Sequence, residues 1–252
     1  MNKDQFKGKK FLVTGASSGI GAATVAALSE GGAEVIQLGR DKNRLIENTE
    51  GAKSGTFFSY EVDLEEVEKI ETLSRRIAEE NGPLDGLIHC AGVSSVRPLG
   101  VSKYSFMLQV MNVNYFSFVE LVRCFTKRGR FNAGMSIVGV SAIGAFLGKP
   151  TKTAYCASKA AMNSAVRCIA QEVYKKGVRI NTVAPGATLT PMMENLTKVP
   201  GGEATLDAIA ERQFLGVCEP EDIVQMILFL LSNSAKKISG SCLPVDGGAL
   251  IK

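Results

Sequence analysis

Phe11-Leu12-Val13-Thr14-Gly15-Ala16-Ser17-Ser18-Gly19-Ile20-Gly21, with the alanine-rich run after it, decides the fold. Lys9 to Thr14 is a short apolar run of strand length. Ala22 to Glu30 reads as a helix closed by Gly31-Gly32. Strand, glycine turn and helix in that order are the setting that a dinucleotide-binding loop needs. Gly15, Gly19 and Gly21 let the backbone turn sharply and approach a pyrophosphate. Ser17, Ser18 and Ile20 complete the loop, and the helix beyond offers free N–H groups and the positive end of its dipole. The spacing is Gly-x-x-x-Gly-x-Gly, a variant of the Gly-x-Gly-x-x-Gly fingerprint.

The pattern repeats outward from there. Strands are expected over Ala33–Leu38, Thr56–Val62, Leu84–Cys90, Met135–Val140, Val178–Ala184 and Leu243–Val245. Helices are expected between them over Asn43–Glu50, Glu65–Asn81, Ser102–Phe125, Ala154–Lys176 and Pro220–Leu231. Alternation of this kind predicts an α/β chain: one doubly wound parallel sheet of about seven strands, a Rossmann fold, with helices on both faces. Residues 1–252 read as a single domain, and the irregular stretch 191–218 reads as a lid over a site. In such sheets ligands collect at the carboxyl ends of the strands. Gly15, Arg40, Asp63, Gly92, Ser141 and Pro185 each follow a predicted strand.

Composition narrows the function classes. The chain is 45% hydrophobic and 21% charged with a formal net charge of +4, an ordinary globular balance. Lys127-Arg128-Gly129-Arg130, the densest basic run, is too short to argue for nucleic acid. No apolar run reaches membrane-spanning length, and the polar stretch Met1–Lys10 does not read as a secretory signal, so a cytoplasmic protein is expected. The 6 cysteines lack a Cys-x-x-Cys pair and His89 is the single histidine, so no metal site is expected. The cysteines read as free, mostly buried thiols, and Cys156 as a packing residue pointing away from its neighbour Tyr155.

Three local signals point to chemistry. Gly39-Arg40 ends the second strand, where an arginine suits the 2′-phosphate of NADP and an acid the 2′-hydroxyl of NAD. Arg40 therefore favours NADP(H), the alternative being a surface arginine paired with Asp41. Asp63 is placed either to cap the next helix or to accept from an adenine amino group. Tyr155 and Lys159 lie four apart on one helix face, where an ammonium would favour the phenolate; a snorkelling lysine is the plainer alternative.

Taken together and in order, Thr14-Gly15-x-x-x-Gly19-x-Gly21, Asp63-Leu64, Ala91-Gly92, Val113-Asn114, Ser141, Tyr155-x-x-x-Lys159, Pro185-Gly186 and Asp246-Gly247-Gly248 resemble the short-chain dehydrogenase/reductase family. The likeness runs from Lys9 to Gly248, and within the family the chain looks most like 3-oxoacyl-(acyl-carrier-protein) reductase-like members. It implies a hydride transfer between NADP(H) and a carbonyl or secondary alcohol. The favoured substrate is a 3-oxoacyl thioester; a sugar, a steroid-like compound or a small ketone is the alternative. A non-catalytic NADP sensor is a third reading, weakened because Tyr155 and Lys159 are both present. The resemblance makes Tyr155 the general acid or base. Lys159 would lower its pKa and hold the nicotinamide ribose, Ser141 would bind the substrate oxygen, and Asn114 would hold a water relay. It puts Leu64, Cys90, Ala91, Gly92, Pro185, Gly186, Thr188 and Thr190 against the cofactor, with Thr190 on the carboxamide, and implies a dimer or tetramer. Three departures stand out. Cys90 replaces a usual asparagine, Ser141 and Tyr155 are fourteen apart where thirteen is common, and Gln171 stands where acyl-carrier reductases often have arginine.

Overall fold

A computed structural model describes residues 5–50, 55–94, 96–197 and 211–252. Among them a seven-stranded sheet, entirely parallel, takes the order β3-β2-β1-β4-β5-β6-β7. The strands are β1 (Lys10–Thr14), β2 (Glu34–Gly39), β3 (Thr56–Glu61), β4 (Leu84–His89), β5 (Phe131–Val140), β6 (Arg179–Pro185) and β7 (Cys242–Val245). The chain winds one way from β1 to β3, then crosses back so that β4 pairs with β1. That reversal opens a crevice beyond the carboxyl ends of β1 and β4, where open α/β sheets bind ligands.

Period-two side-chain alternation builds a core on each face. On one face Phe11, Val13, Val35 and Ile88 pack with Val25 and Leu28 of α1 (Gly19–Glu30) and Ile223, Val224 and Ile227 of α8 (Pro220–Leu231). On the other, Leu12, Ile36, Leu87 and Ile137 pack with Ile70 and Ile77 of α3 (Ile70–Asn81), and with Phe118, Leu121, Met162 and Val166 from two further helices. Sequence neighbours in one strand thus feed opposite cores, which is why the strands read as unbroken apolar runs. Short caps punctuate the helices. The Asp41 carboxylate accepts from the Asn43 and Arg44 amides at the start of α2 (Lys42–Glu47), and Asp222 accepts from Glu219 N ahead of α8.

The long helix expected over Ser102–Phe125 is broken. A 3-10 turn at Leu99–Val101 precedes α4 (Tyr104–Met111), a π turn occupies Asn112–Phe116, and α5 (Ser117–Phe125) follows. The wider π turn carries Asn114 into the interior, while Asn112 Nδ2 donates to the Glu65 carbonyl. Of the expected lid 191–218, α7 (Pro191–Thr197) and residues 211–218 are described, and 198–210 lie outside the described residues. The first helix begins at Gly19, earlier than expected, and β5 begins at Phe131. All six cysteines are free, but of these only Cys124 and Cys218 are buried, fewer than expected. No described helix is long and apolar enough to cross a membrane.

His89 closes β4 in full burial. Its Nδ1 shares a 3.0 Å hydrogen bond with Thr14 Oγ1, and its ring packs 5.4 Å from that of Phe118. Burial, then the Lys159 charge, lowers its pKa from 6.5 to about 3. The unfolded chain therefore takes up this proton first, and stability falls as pH drops from about 6.5 towards 3 by about 1.4 kcal/mol per pH unit. In urea unfolding at pH values of about 7 and about 5, the native protein should lose about 2 kcal/mol more than His89→Asn. Equal losses would assign the acid sensitivity to carboxylates.

Candidate active site

A cavity of about 660 Å³ occupies the crevice. The loop after β1 (Gly15, Ser17, Ser18, Gly19, Ile20, Gly21) and Arg40 line one end. Cys90, Ala91 and Gly92 after β4 form its floor, with Ser141 after β5 and Pro185, Gly186, Thr188 and Thr190 after β6. Tyr155 and Lys159 enter from α6 (Thr153–Val173). Most residues expected to form the site therefore meet in one space. Asp63, Leu64 and Asn114 do not line it. The Asp63 carboxylate accepts from Glu65 N at 2.9 Å, Leu64 is buried in the core, and Asn114 lies beneath the floor.

The first loop fits a dinucleotide's pyrophosphate. Gly15 has φ 63° and Gly19 φ 53°, and a Cβ on Gly15 would lie 2.8 Å from the Ala91 backbone. A Cβ on Gly21 would lie 2.1 Å from the Gly15 carbonyl oxygen, so α1 can leave the sheet this closely only with glycine there. The Ser18 side chain makes no capping bond and the first turn of α1 holds no acid, which leaves its N–H groups and dipole available to an anion. Arg40 is exposed at this end. Asp41, its partner in the alternative reading, caps α2.

At the other end Lys159 is 4% exposed, and Nζ donates to the Val140 carbonyl at 2.7 Å. The same Nζ stands 5.9 Å from the centre of the Tyr155 ring. Burial lowers the Lys159 pKa to about 8 and raises that of Tyr155 to about 12. In this geometry burial outweighs any lowering of the phenol by Lys159. The ammonium is turned to a backbone carbonyl, and desolvation dominates both groups. Ser141 Oγ donates to the Lys159 carbonyl at 3.3 Å, and Ser141 N to Val183 O at 2.7 Å. One side chain thus joins β5 to α6 despite the longer spacing to Tyr155. Asn114 accepts from Val93 N (2.8 Å) and donates to Val93 O (3.1 Å) and Ser158 Oγ (2.9 Å). Its amide therefore ties the loop after β4 to α6.

Comparison with known proteins agrees with this geometry. The sequence profile of the family described as enoyl-(acyl carrier protein) reductase matches residues 15–249. The vibriobactin-specific 2,3-dihydro-2,3-dihydroxybenzoate dehydrogenase of Vibrio cholerae is 33% identical over 253 residues, covering 96% of each chain. The 3-oxoacyl-(acyl-carrier-protein) reductase FabG of Thermotoga maritima is 32% identical, covering 98% of this chain and 100% of its own. A 4-hydroxyisoleucine dehydrogenase solved with NADH superposes with a TM-score of 0.88 at 28% identity, over 97% of this chain and 99% of its own.

The chain belongs to the short-chain dehydrogenase/reductase family.

Family members act on alcohol and carbonyl groups with NAD(P)(H). Cys90, this short-chain dehydrogenase/reductase's departure from the usual asparagine, leaves the floor braced by other means. Ala91 N donates to Thr14 Oγ1 at 3.1 Å, Cys90 N to Thr14 O at 3.3 Å, and Asn114 holds Val93. Burial pushes the Cys90 thiol up to about 12. Cys156 lines the cavity instead of pointing away, its Sγ 3.8 Å from the Leu147 carbonyl, because the loop after β5 curls over that side of α6. Sequence reading missed Gln213, buried in the stretch read as irregular. It accepts from Ala187 N at 2.6 Å and donates to Ala187 O and Gly216 O, fixing the loop after β6. It also missed Lys152 and Ser94 in the cavity wall, where a lone lysine and serine carry no pattern.

Burying the Lys159 ammonium costs stability. Its pKa falls from 10.5 to about 8, so the unfolded chain keeps this proton over that window and stability rises with pH across it. Lys159→Met should abolish turnover yet stabilise the ligand-free protein by about 1–3 kcal/mol near neutral pH. The gain should shrink between pH values of about 8 and about 10.5, as thermal or urea unfolding will show.

Proposed function

We propose that this protein reduces a ketone on a small molecule, or oxidises the matching secondary alcohol, with NADP(H). The observation that carries the reading is Tyr155, Lys159 and Ser141 meeting in one cavity with a glycine loop shaped for a pyrophosphate. The bound dinucleotide supplies or accepts the hydride. Tyr155 gives the proton to the carbonyl oxygen. A phenol is protonated at neutral pH and burial raises it further, so Tyr155 carries the proton that reduction needs. Ser141 hydrogen-bonds the same oxygen. Lys159 holds the ribose hydroxyls and, once turned from Val140 towards the phenol, stabilises the phenolate. Asn114, tied to Ser158 and the Val93 backbone, would hold the water that links Lys159 to solvent. Arg40 selects NADPH through the 2′-phosphate, although the hydroxyisoleucine dehydrogenase was solved with NADH.

Similarity to FabG supports a 3-oxoacyl thioester. By the resemblance, an acyl carrier would dock on a basic patch near Lys127-Arg128 together with an arginine beside Glu172, and only half of that patch is present, which favours a free small molecule. Lys127 is paired with Glu71, and Arg130 donates to Ser74 Oγ (3.0 Å) and Cys124 O (3.3 Å). Neighbouring Arg123 pairs with Glu71 (2.5 Å) and Glu120 (2.6 Å), and Gln171 replaces the arginine such docking uses. Lys127 is thus held in a surface ion pair, while Arg128 stays exposed.

A screen of NADPH oxidation over ketones, sugars and acyl thioesters tests the reading. On any substrate turned over, Tyr155→Phe should lower kcat by about 10²–10⁴-fold with NADPH affinity nearly unchanged; full retained activity would remove Tyr155 as the acid. Arg40→Asp should weaken NADPH by about 10–100-fold and NADH little, measured by cofactor fluorescence. Equal losses would take the 2′-phosphate away from Arg40.

A further inference from the structure

The substrate end of the cavity carries charge that the catalytic residues do not use. Lys149, Pro150, Thr151 and Lys152 wall it, facing Ser94 and Val96. Lys152 is the N-cap of α6, and Tyr155 sits at N3. Side chains at N-cap and N3 face one another, so the Lys152 ammonium is within reach of a substrate whose carbonyl lies at the Tyr155 phenol. Lys152 is half-buried and its Nζ donates to a neutral acceptor, Ser94 Oγ, at 3.0 Å. It has no carboxylate partner among the described residues, and no described aspartate or glutamate lines the cavity. Burial, with Lys149 nearby, also holds Lys152 below the usual lysine range, a cost that an incoming anion would remove.

The backbone holds this lysine in place at a further cost. Thr151 has φ 67°, the only positive φ outside glycine among the described residues, and it is β-branched. Its carbonyl accepts from Arg97 N at 3.0 Å, clamping the lysine loop to the segment after Ser94. Strain of this kind persists where surrounding contacts enforce it, and it clusters at ligand clamps.

We propose that Lys152, assisted by Lys149, binds an anionic substituent of the substrate, a carboxylate or a phosphate, close to the carbonyl that Tyr155 serves. This rests on the reading of the site as a ketone reductase and deepens it: the substrate is an oxo acid or a keto phosphate rather than a neutral ketone or sugar. An N-cap-to-N3 separation of about 5–6 Å between side-chain roots fits an anion only a few bonds from the carbonyl. Arg40 stands at the adenine end, which leaves the two lysines for the substrate.

Calorimetric titration of the NADP+-saturated protein tests the site independently of turnover. The carboxylate arm compares pyruvate, acetoacetate and 4-oxopentanoate with their methyl esters. The phosphate arm compares dihydroxyacetone phosphate with dihydroxyacetone. In one arm the charged member should bind about 10–100-fold more tightly than its neutral partner. Lys152→Gln should erase that advantage, Lys152→Arg should keep most of it, and Lys149→Gln should lower it about 3-fold. NADP+ affinity, read alongside, reports that each variant is folded. No charged member outbinding its partner, or an advantage that survives Lys152→Gln, overturns the proposal. NADPH oxidation in the same panel separates the two readings. Neutral ketones reduced in preference to their acids would overturn the anion site and leave the reductase. Acids bound through Lys152 without NADPH oxidation would keep the anion site and overturn the reductase.

Discussion

The site depends on a buried ammonium. Lys159 reaches under the cavity floor, where its one hydrogen bond is to the Val140 carbonyl. An ammonium in so little water is costly, and the lowered pKa records that cost. Several features around it make the burial workable. Gly92 lies directly over the ammonium, where a Cβ would stand in ordinary contact at 3.5 Å. Ser141 Oγ donates to the main-chain carbonyl of Lys159 itself, and Asn114 donates to the Ser158 hydroxyl one residue before. The lysine is thus held between β5 and the loop after β4, with the phenol face beside it. The same charge helps to keep His89 neutral on the far side of that loop.

Fold and site were legible in the sequence to different depths. The sheet was readable because β1, β2, β4 and β6 are buried on both faces, and such strands cannot hide their apolar runs. The glycine loop was readable because Gly15, Gly19 and Gly21 are each required by local sterics. The π turn was not: a helical apolar stripe continues through Met111 and Ser117, and only the awkward Asn112 and Asn114 hinted at a break. Electrostatics were the least legible. The spacing of Tyr155 and Lys159 announced a pair, but spacing carries no information on desolvation, which sets both pKa values. Gln213 and Lys152 work through contacts across long loops, which leave no periodic trace.

The modest net charge hides an uneven field. Arg40, Lys149, Lys152 and Lys159 all face one cavity, while acids that could have entered it are engaged elsewhere. Asp41 caps α2, Asp63 holds Glu65 N, and Asp246 accepts from Gly248 N and Leu250 N in the turn after β7. The crevice therefore concentrates positive potential between low-dielectric walls, an arrangement that draws anionic ligands in from a distance.

The π turn has a consequence for how this chain can evolve. A π turn holds one residue more than the α geometry it interrupts. Losing a single residue within Asn112–Phe116 would restore a continuous α-helix with α4 and α5 still in phase, so Phe118, Leu121 and Phe125 could keep their places in the core. The wide turn that carries Asn114 to Val93 and Ser158 would be lost. Length there is set by a buried amide and not by the packed face.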